Sequence, residues 1–407
     1  MLRPLKLLWT DPTLRMAAGA LALFGCLAAS IAPYQSLLAI RIFGLSDGAY
    51  AIVLIVAAVV SVLGAVGAGI LADQTATRKR VALISALLIV LGNGLVMALP
   101  DKLTFVLVHS VVLPLSGAIM GQIFALARLA CSRYPVGDRD ATLAALRALF
   151  AVPFVVVLPL WSLAFGAGAS LLAIYAVLVV VGGALVLLIA LAWPADGRTA
   201  WEDVPSGLSL AASLREMGSG AVMLRVLLSG GLKSGVFVYM VVLGLVFDES
   251  TGRDIGDVAL FAGLVAGLEV PVMLSMGALL QRVSRLQAIL LGTVLYAGFL
   301  CAFPLLLATP WVWALVLPAA FGGAIVLSLP LAYVQDLMGA RAGAGGALLA
   351  VQQVAGDGLG AGVFAIAALL SGYGLAAVLG GVTMLASAFA LLWLDGRPQA
   401  RLGLGEP

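Results

Sequence analysis

Gly69-Ile-Leu-Ala-Asp73-Gln-Thr-Ala-Thr-Arg78-Lys79-Arg80 is a basic stretch that follows a long apolar run. A weaker copy, Gly277-Ala-Leu279-Leu-Gln281-Arg282-Val-Ser-Arg285, follows another such run further on. Each has Gly-x-Leu, then a polar residue, then basic residues. Gly277 lies 208 positions after Gly69, about half of the 407-residue chain. The halves therefore read as parallel repeats, an arrangement known in membrane proteins built from two similar helix bundles.

Composition places both halves in a bilayer. Hydrophobic residues make up 63% of the chain and charged residues 10%, against roughly 45–50% and 25% in soluble domains. So few charges could not cover a soluble globule of this length. The net charge of +3 is too small to suggest nucleic acid as a partner. Cys26, Cys131 and Cys301 stand in or beside apolar runs, and His109 is the single histidine. Neither a disulfide framework nor a metal cluster is expected from them. The apolar run after Arg15 is too long for the core of a cleavable signal peptide.

A membrane helix needs about 20 mainly apolar residues. Runs of that kind occur at 16–40, 49–71, 81–99, 103–130, 140–165, 168–193, 222–247, 257–281, 286–307, 311–334, 346–371 and 373–394. The expected fold is an all-α membrane protein of twelve helices in two bundles of six, 1–193 and 222–407. A polar connector, 194–221, joins them. Positive charge sets orientation. With the N-terminus inside, fifteen of the 22 Lys and Arg residues face the cytoplasm. Only Arg41, Lys102 and Arg253 face outward. Both termini are therefore expected on the cytoplasmic side of a bacterial inner membrane. Trp9, Trp161, Trp193, Trp311, Trp313 and Trp393 fall near span ends and read as interfacial belts.

The first basic loop resembles the signature of the major facilitator superfamily, G-x-L-a-D-r-x-G-r-k. Gly69, Leu71, Ala72, Asp73 and Arg78 match it, while Gln74, Ala76 and Thr77 depart from it. In that resemblance Gly69, Asp73, Arg78 and Lys79 form a conformational motif at the inner surface. The small Gly lets helices approach closely, and Asp73 faces helix N-termini or Arg partners. Four shorter stretches resemble the bacterial sugar efflux transporters of that superfamily. They are Phe124-Ala-Leu-Ala-Arg128, Leu146-Arg147-Ala148, Gly267-Leu-Glu269-Val-Pro271 and Gln335-Asp336-Leu-Met338. Val157-Leu158-Pro159 stands where that family carries Gly-Pro-Pro.

Ionisable residues in mid-membrane are costly and mark functional sites by default. At 1.5 Å per residue, Lys233 lies about 16 Å into its span, Glu269 about 18 Å, Asp357 about 16 Å and Arg147 about 10 Å. Two positive and two negative groups at similar depth suggest mutual compensation. Lys233 is expected to contact a substrate hydroxyl or to pair with Glu269 or Asp357. The small residues around it, Gly230-Gly231-Leu-Lys233-Ser-Gly235, leave room for a ligand or a neighbouring helix. Glu269 and Asp357 read as proton-binding groups, substrate acceptors or fixed counter-ions. Tyr34, Gln35, Gln122 and Tyr239 are candidate polar wall residues, each reading equally as a substrate contact or an inter-helix hydrogen bond, and Gln352 is a further candidate at the site. Arg128 reads as an inner interface anchor and His109 as a packed histidine.

No G-x-x-x-x-G-K-[ST] loop for ATP is present, and no cofactor is expected. An intramembrane serine or aspartyl protease would need a Ser–His pair or two facing Asp residues, and neither constellation can be assembled. The reading is a secondary transporter working by alternating access, with proton-coupled efflux of a sugar-like small molecule. Efflux of drugs or other amphipathic metabolites is the alternative. The expected partners are that solute, protons and the bilayer, with the chain acting as a monomer.

Overall fold

The computed structural model describes residues 2–75, 77–195, 220–250, 252–337, 342–370 and 372–395. A short helix, Leu2–Thr10, precedes the membrane spans. The first six spans are α1 (Pro12–Ile31), α2 (Asp47–Gly69), α3 (Arg78–Ala98), α4 (Lys102–Cys131), α5 (Ala145–Gly166) and α6 (Ala173–Ala192). The second six are α7 (Gly220–Asp248), α8 (Ile255–Met273), α9 (Arg285–Leu306), α10 (Pro310–Val334), α11 (Val351–Leu370) and α12 (Tyr373–Asp395). The twelve expected runs therefore all form helices. Most of the connector, 196–219, lies outside the described residues.

Two spans are interrupted. The helix of α1 stops at Ile31, turns through Pro33, restarts at Gln35–Leu37 and ends in a π-turn, Leu38–Ile42. Proline supplies no N–H and clashes with the preceding turn, so an unbroken helix through 16–40 does not form. In α4 a π-turn, Val108–Val112, precedes Pro114 and a break at Gly117. Both interruptions fall on chain that borders the cavity described below. Trp161 and Trp193 are buried, 6% and 3% exposed, so they pack inside the protein and are not belt residues. Trp9, Trp311 and Trp393 are exposed as the belt reading requires.

The packing repeats at an interval of six helices. In the first half α1 packs on α5 and α6, α3 on α6 and α4, and α2 on α4. In the second half α7 packs on α11 and α12, α9 on α12 and α10, and α8 on α10. Adding six to each number of the first set gives the second. The contacts between halves obey the same rule, since α5 meets α8 and α11 meets α2. Two six-helix bundles thus face each other across a pseudo-twofold axis, as the duplicated basic loop implies.

The bundles are joined at the side that the charge count assigns to the outside. Arg41 Nε donates to Asp248 Oδ2 at 2.6 Å, and its guanidinium lies 3.6 Å from Glu249. Tyr373 donates its hydroxyl proton to Asp47 Oδ1 at 2.8 Å. The rings of Tyr50 and Phe364 meet edge to face at 5.9 Å. Each of these contacts links one bundle to the other, so this is an arrangement with the outer side closed.

Candidate functional site

Small residues set the crossing of α7 and α11. A Cβ on Gly230 would stand 2.7 Å from the Gln352 carbonyl oxygen and 3.1 Å from the Gly356 nitrogen. A Cβ on Gly356 would stand 2.9 Å from the Gly230 carbonyl oxygen. The two backbones therefore touch, which small residues allow in membrane helices. This contact brings facing polar side chains into reach. Gln352 Nε2 donates to Ser229 Oγ at 2.7 Å, fully inside the bundle. One helical step on, Lys233 Nζ donates to Gln353 Oε1. Gln353 Nε2 in turn donates to Asp357 Oδ1 at 2.8 Å and Oδ2 at 2.9 Å.

Lys233 and Asp357 are therefore joined through one amide. Of the two carboxylates offered as partners for Lys233, Asp357 is the one reached, through Gln353, and Glu269 is not. The depths of Lys233 and Glu269 match, but Lys233 points toward α11 while Glu269 points toward α9 and α10. Depth along a helix leaves rotation about its axis undetermined, and rotation chooses the neighbour. The small residues beside Lys233 serve helix packing, because Gly231 and Gly235 face Ser387 and Met384 of α12.

Glu269 lies over Gly323 of α10, and a side chain on Gly323 would overlap the carboxylate and stand 3.2 Å from the Tyr296 ring. Among the described residues the Glu269 carboxylate makes no hydrogen bond or ion pair. Arg147 is exposed, with its guanidinium carbon 5.9 Å from the centre of the Phe124 ring. Mutual compensation of all four charges is thus corrected. Lys233 and Asp357 compensate each other, and Arg147 and Glu269 stand apart.

Asp357 borders a cavity of about 280 Å³ between the bundles. Gln35, Ser61 and His109 contribute polar groups from the first bundle, and Phe237 and Asp357 face them from the second. His109 is 3% exposed, stacks on Phe105 at 4.1 Å and shares a 2.9 Å hydrogen bond between Nε2 and the Tyr175 hydroxyl. It is packed, as expected, yet it also lines this cavity. Tyr34, Gln122 and Tyr239 are buried and do not line this cavity. Tyr34 packs edge-on to Phe165 at 5.1 Å, and Tyr239 packs between Tyr296 and Phe299. The Tyr34 and Tyr239 hydroxyls and Gln122 Oε1 are enclosed with no hydrogen-bond partner among the described residues.

Sequence comparison matches the family description "Major Facilitator Superfamily" across residues 17–361. The chain belongs to this superfamily. A relative from Deinococcus radiodurans named "Putative sugar efflux transporter" is 28% identical over 400 residues, spanning 93% of this chain and 97% of its own length. The crystal structure of the nucleoside transporter NupG is similar in fold, with a TM-score of 0.71 at 15% identity, covering 95% of this chain and 99% of that one. An auto-inhibited peptide transporter of the POT family gives 0.73 at 12% identity, covering 97% and 99%. The protein is accordingly a multi-pass membrane transporter and not an enzyme.

The superfamily's inner-loop motif has definite local roles here. Lys79 Nζ donates to the Ala190 and Trp193 carbonyl oxygens at 3.0 and 3.1 Å, capping the C-terminal end of α6. Among the described residues nothing lies within 4 Å of where a Gly69 Cβ would stand, so they show no close helix approach at that residue. Arg78 opens the helix of α3. The Asp73 side chain lies outside the described residues.

The residue that reasoning from sequence missed is Gln353. It stood beside the chosen Gln352 and four residues before Asp357, the spacing at which helical side chains meet. That spacing was the available signal.

Proposed function

We propose that this protein is a proton-coupled secondary transporter that exports a sugar-like small molecule by alternating access. The bundles 1–193 and 222–407 rock about a central site, with the 194–221 connector and both termini on the cytoplasmic side of a bacterial inner membrane. The single chain is the transporting unit. The observation that carries this reading is the convergence of polar groups from both bundles on one cavity of about 280 Å³ behind a closed outer side. That volume lies just below the usual range of ligand pockets, roughly 300–1,000 Å³. It suits a single-ring polar solute better than a large amphipathic drug. The name of the Deinococcus relative agrees with this substrate class.

Two carboxylates are candidates for the coupling proton. Asp357 already has a cation linked to it through Gln353. Glu269 has no such partner among the described residues, and leaving a charge uncompensated inside a protein costs several kcal/mol. Glu269 is therefore assigned the coupling proton and Asp357 a fixed charge at the substrate cavity. Arg147, exposed on α5, is assigned to the inner entrance.

The test is flux in liposomes containing the purified protein. Labelled monosaccharides, disaccharides and common amphipathic drugs are compared with and without an imposed pH gradient. Gradient-driven movement of a monosaccharide supports the reading. Movement of drugs alone moves the assignment to the alternative class, and flux indifferent to the gradient removes the proton.

A further inference from the structure

Gln353 has a feature that neither neighbour shares. Its amide accepts from Lys233 at one end and donates to both oxygens of Asp357 at the other. An amide is a side chain that can do both at once, because it carries an acceptor oxygen and a donor nitrogen. Its orientation is dictated by the unlike charges on its two sides. Lys233, Gln353 and Asp357 together form a chain of three groups with no net charge. One end of that chain, the Asp357 carboxylate, lies on the wall of the cavity between the bundles.

We infer that Gln353 is a specificity-determining residue, which holds Asp357 as an acceptor-only carboxylate within a net-neutral unit and so selects uncharged, hydroxyl-bearing solutes. The inference rests on the transport reading above and deepens it by naming the substrate's charge class. A carboxylate accepts hydrogen bonds from hydroxyls. An amine-bearing solute would gain little here, since the charge it could meet is already balanced by Lys233. An acidic solute would likewise find no net opposite charge to repay its desolvation, and its carboxylate has no proton to donate to the acceptor-only Asp357. Gln35, Ser61 and His109 add uncharged polar groups to the wall, and the Phe237 ring with apolar residues of α1, α2 and α4 supplies the rest.

Three matched probes test this: labelled glucose, glucosamine and gluconate, alike in size and different in charge. The wild-type protein is expected to exchange glucose in preference to the other two. Gln353→Glu adds one negative charge to the unit, and the preference should turn toward glucosamine by about tenfold or more, the equivalent of about 1.4 kcal/mol. Gln353→Glu combined with Asp357→Asn restores the net charge and should return the preference to glucose. Gln353→Met should raise the KM for glucose by about tenfold or more while Vmax changes little, as expected for one charge-assisted hydrogen bond. A purely structural role would lower exchange of all three probes in the same proportion, and that result overturns the proposal.

A second measurement separates this inference from the transport reading. In detergent, Gln353→Met should lower the unfolding temperature by stranding two charges. Adding Lys233→Met and Asp357→Asn together should recover most of that loss. If the wild-type protein exchanges none of the probes, the sugar reading fails while this recovery still supports the linked unit. If recovery is absent, the linked unit fails whatever the flux shows.

Discussion

At the scale of single residues, the two carboxylates of the second bundle have opposite surroundings. Asp357 has an amide and, behind it, a lysine. Glu269 has the face of Gly323 and the edge of Tyr296. If Glu269 carries the coupling proton, Glu269→Gln keeps its size and its hydrogen-bonding capacity but cannot titrate. The variant is expected to fold, to exchange substrate downhill and to lose its response to a pH gradient. Wild-type gradient dependence in that variant would move the proton to Asp357. Gly323→Ala probes the same site without removing the carboxyl group. The added methyl group overlaps the end of a flexible side chain, which can swing away, so the unfolding temperature should change by only a few degrees. The pH profile of transport should shift because the carboxylate has moved. An unchanged profile would show that the seat on Gly323 has no part in proton binding.

At the scale of helices, two contacts differ in kind. The α7–α11 crossing is backbone on backbone, with no flexible atom to give way. Gly356→Ala would place a methyl group 2.9 Å from the Gly230 carbonyl oxygen and 3.1 Å from the Lys233 Cβ. Overpacking of this sort costs typically about 1–3 kcal/mol, so a clear loss of thermal stability is expected, read from the unfolding temperature in detergent. Separation of the helices should also break the Lys233–Gln353 contact. The outer closure is softer. Arg41 and Asp248 are 40% and 34% exposed, and exposed ion pairs contribute about 0–1 kcal/mol. Arg41→Ala should therefore shift the balance toward an outer-open arrangement by about fivefold at most. The rate of labelling of Val258→Cys, a side chain of similar size at a 1% exposed position in the outer cleft between the bundles, by an impermeant reagent in a background without the native cysteines, reports that shift. A rate unchanged by Arg41→Ala would leave the closure to Asp47, Tyr373 and the aromatic contact.

At the scale of the whole molecule, orientation follows from the distribution of Lys and Arg and is open to a direct test. A reporter joined after Pro407 should be active only if it works in the cytoplasm. Activity of a periplasm-only reporter at that position would mean either that the whole chain is inverted or that the number of crossings is odd, and either outcome overturns the orientation read from Lys and Arg. The sixfold offset in packing also bears on mechanism. Because α5–α8 and α2–α11 are equivalent under exchange of the bundles, these two contacts are the pivot that the proposed alternating access would use.

The sequence by itself determined the membrane character, the twelve crossings and the internal repeat. These depend on transfer of apolar runs into lipid, a property of each segment taken alone. The superfamily was also legible, because its inner-loop residues Gly69, Asp73 and Arg78 lie close together in the chain. The helix carrying each buried charge and its depth were legible for the same reason. The partner of each charge was not. Successive helical positions turn by about 100°, so depth can be counted from the sequence while direction depends on how a helix is seated among its neighbours. Only the tertiary structure turned Lys233 toward Gln353 and Glu269 toward Gly323. It buried Tyr34 and Tyr239 and left Gln35 and His109 on the cavity wall. The deciding event was the close crossing at Gly230 and Gly356, where residues 126 positions apart meet because neither carries a side chain.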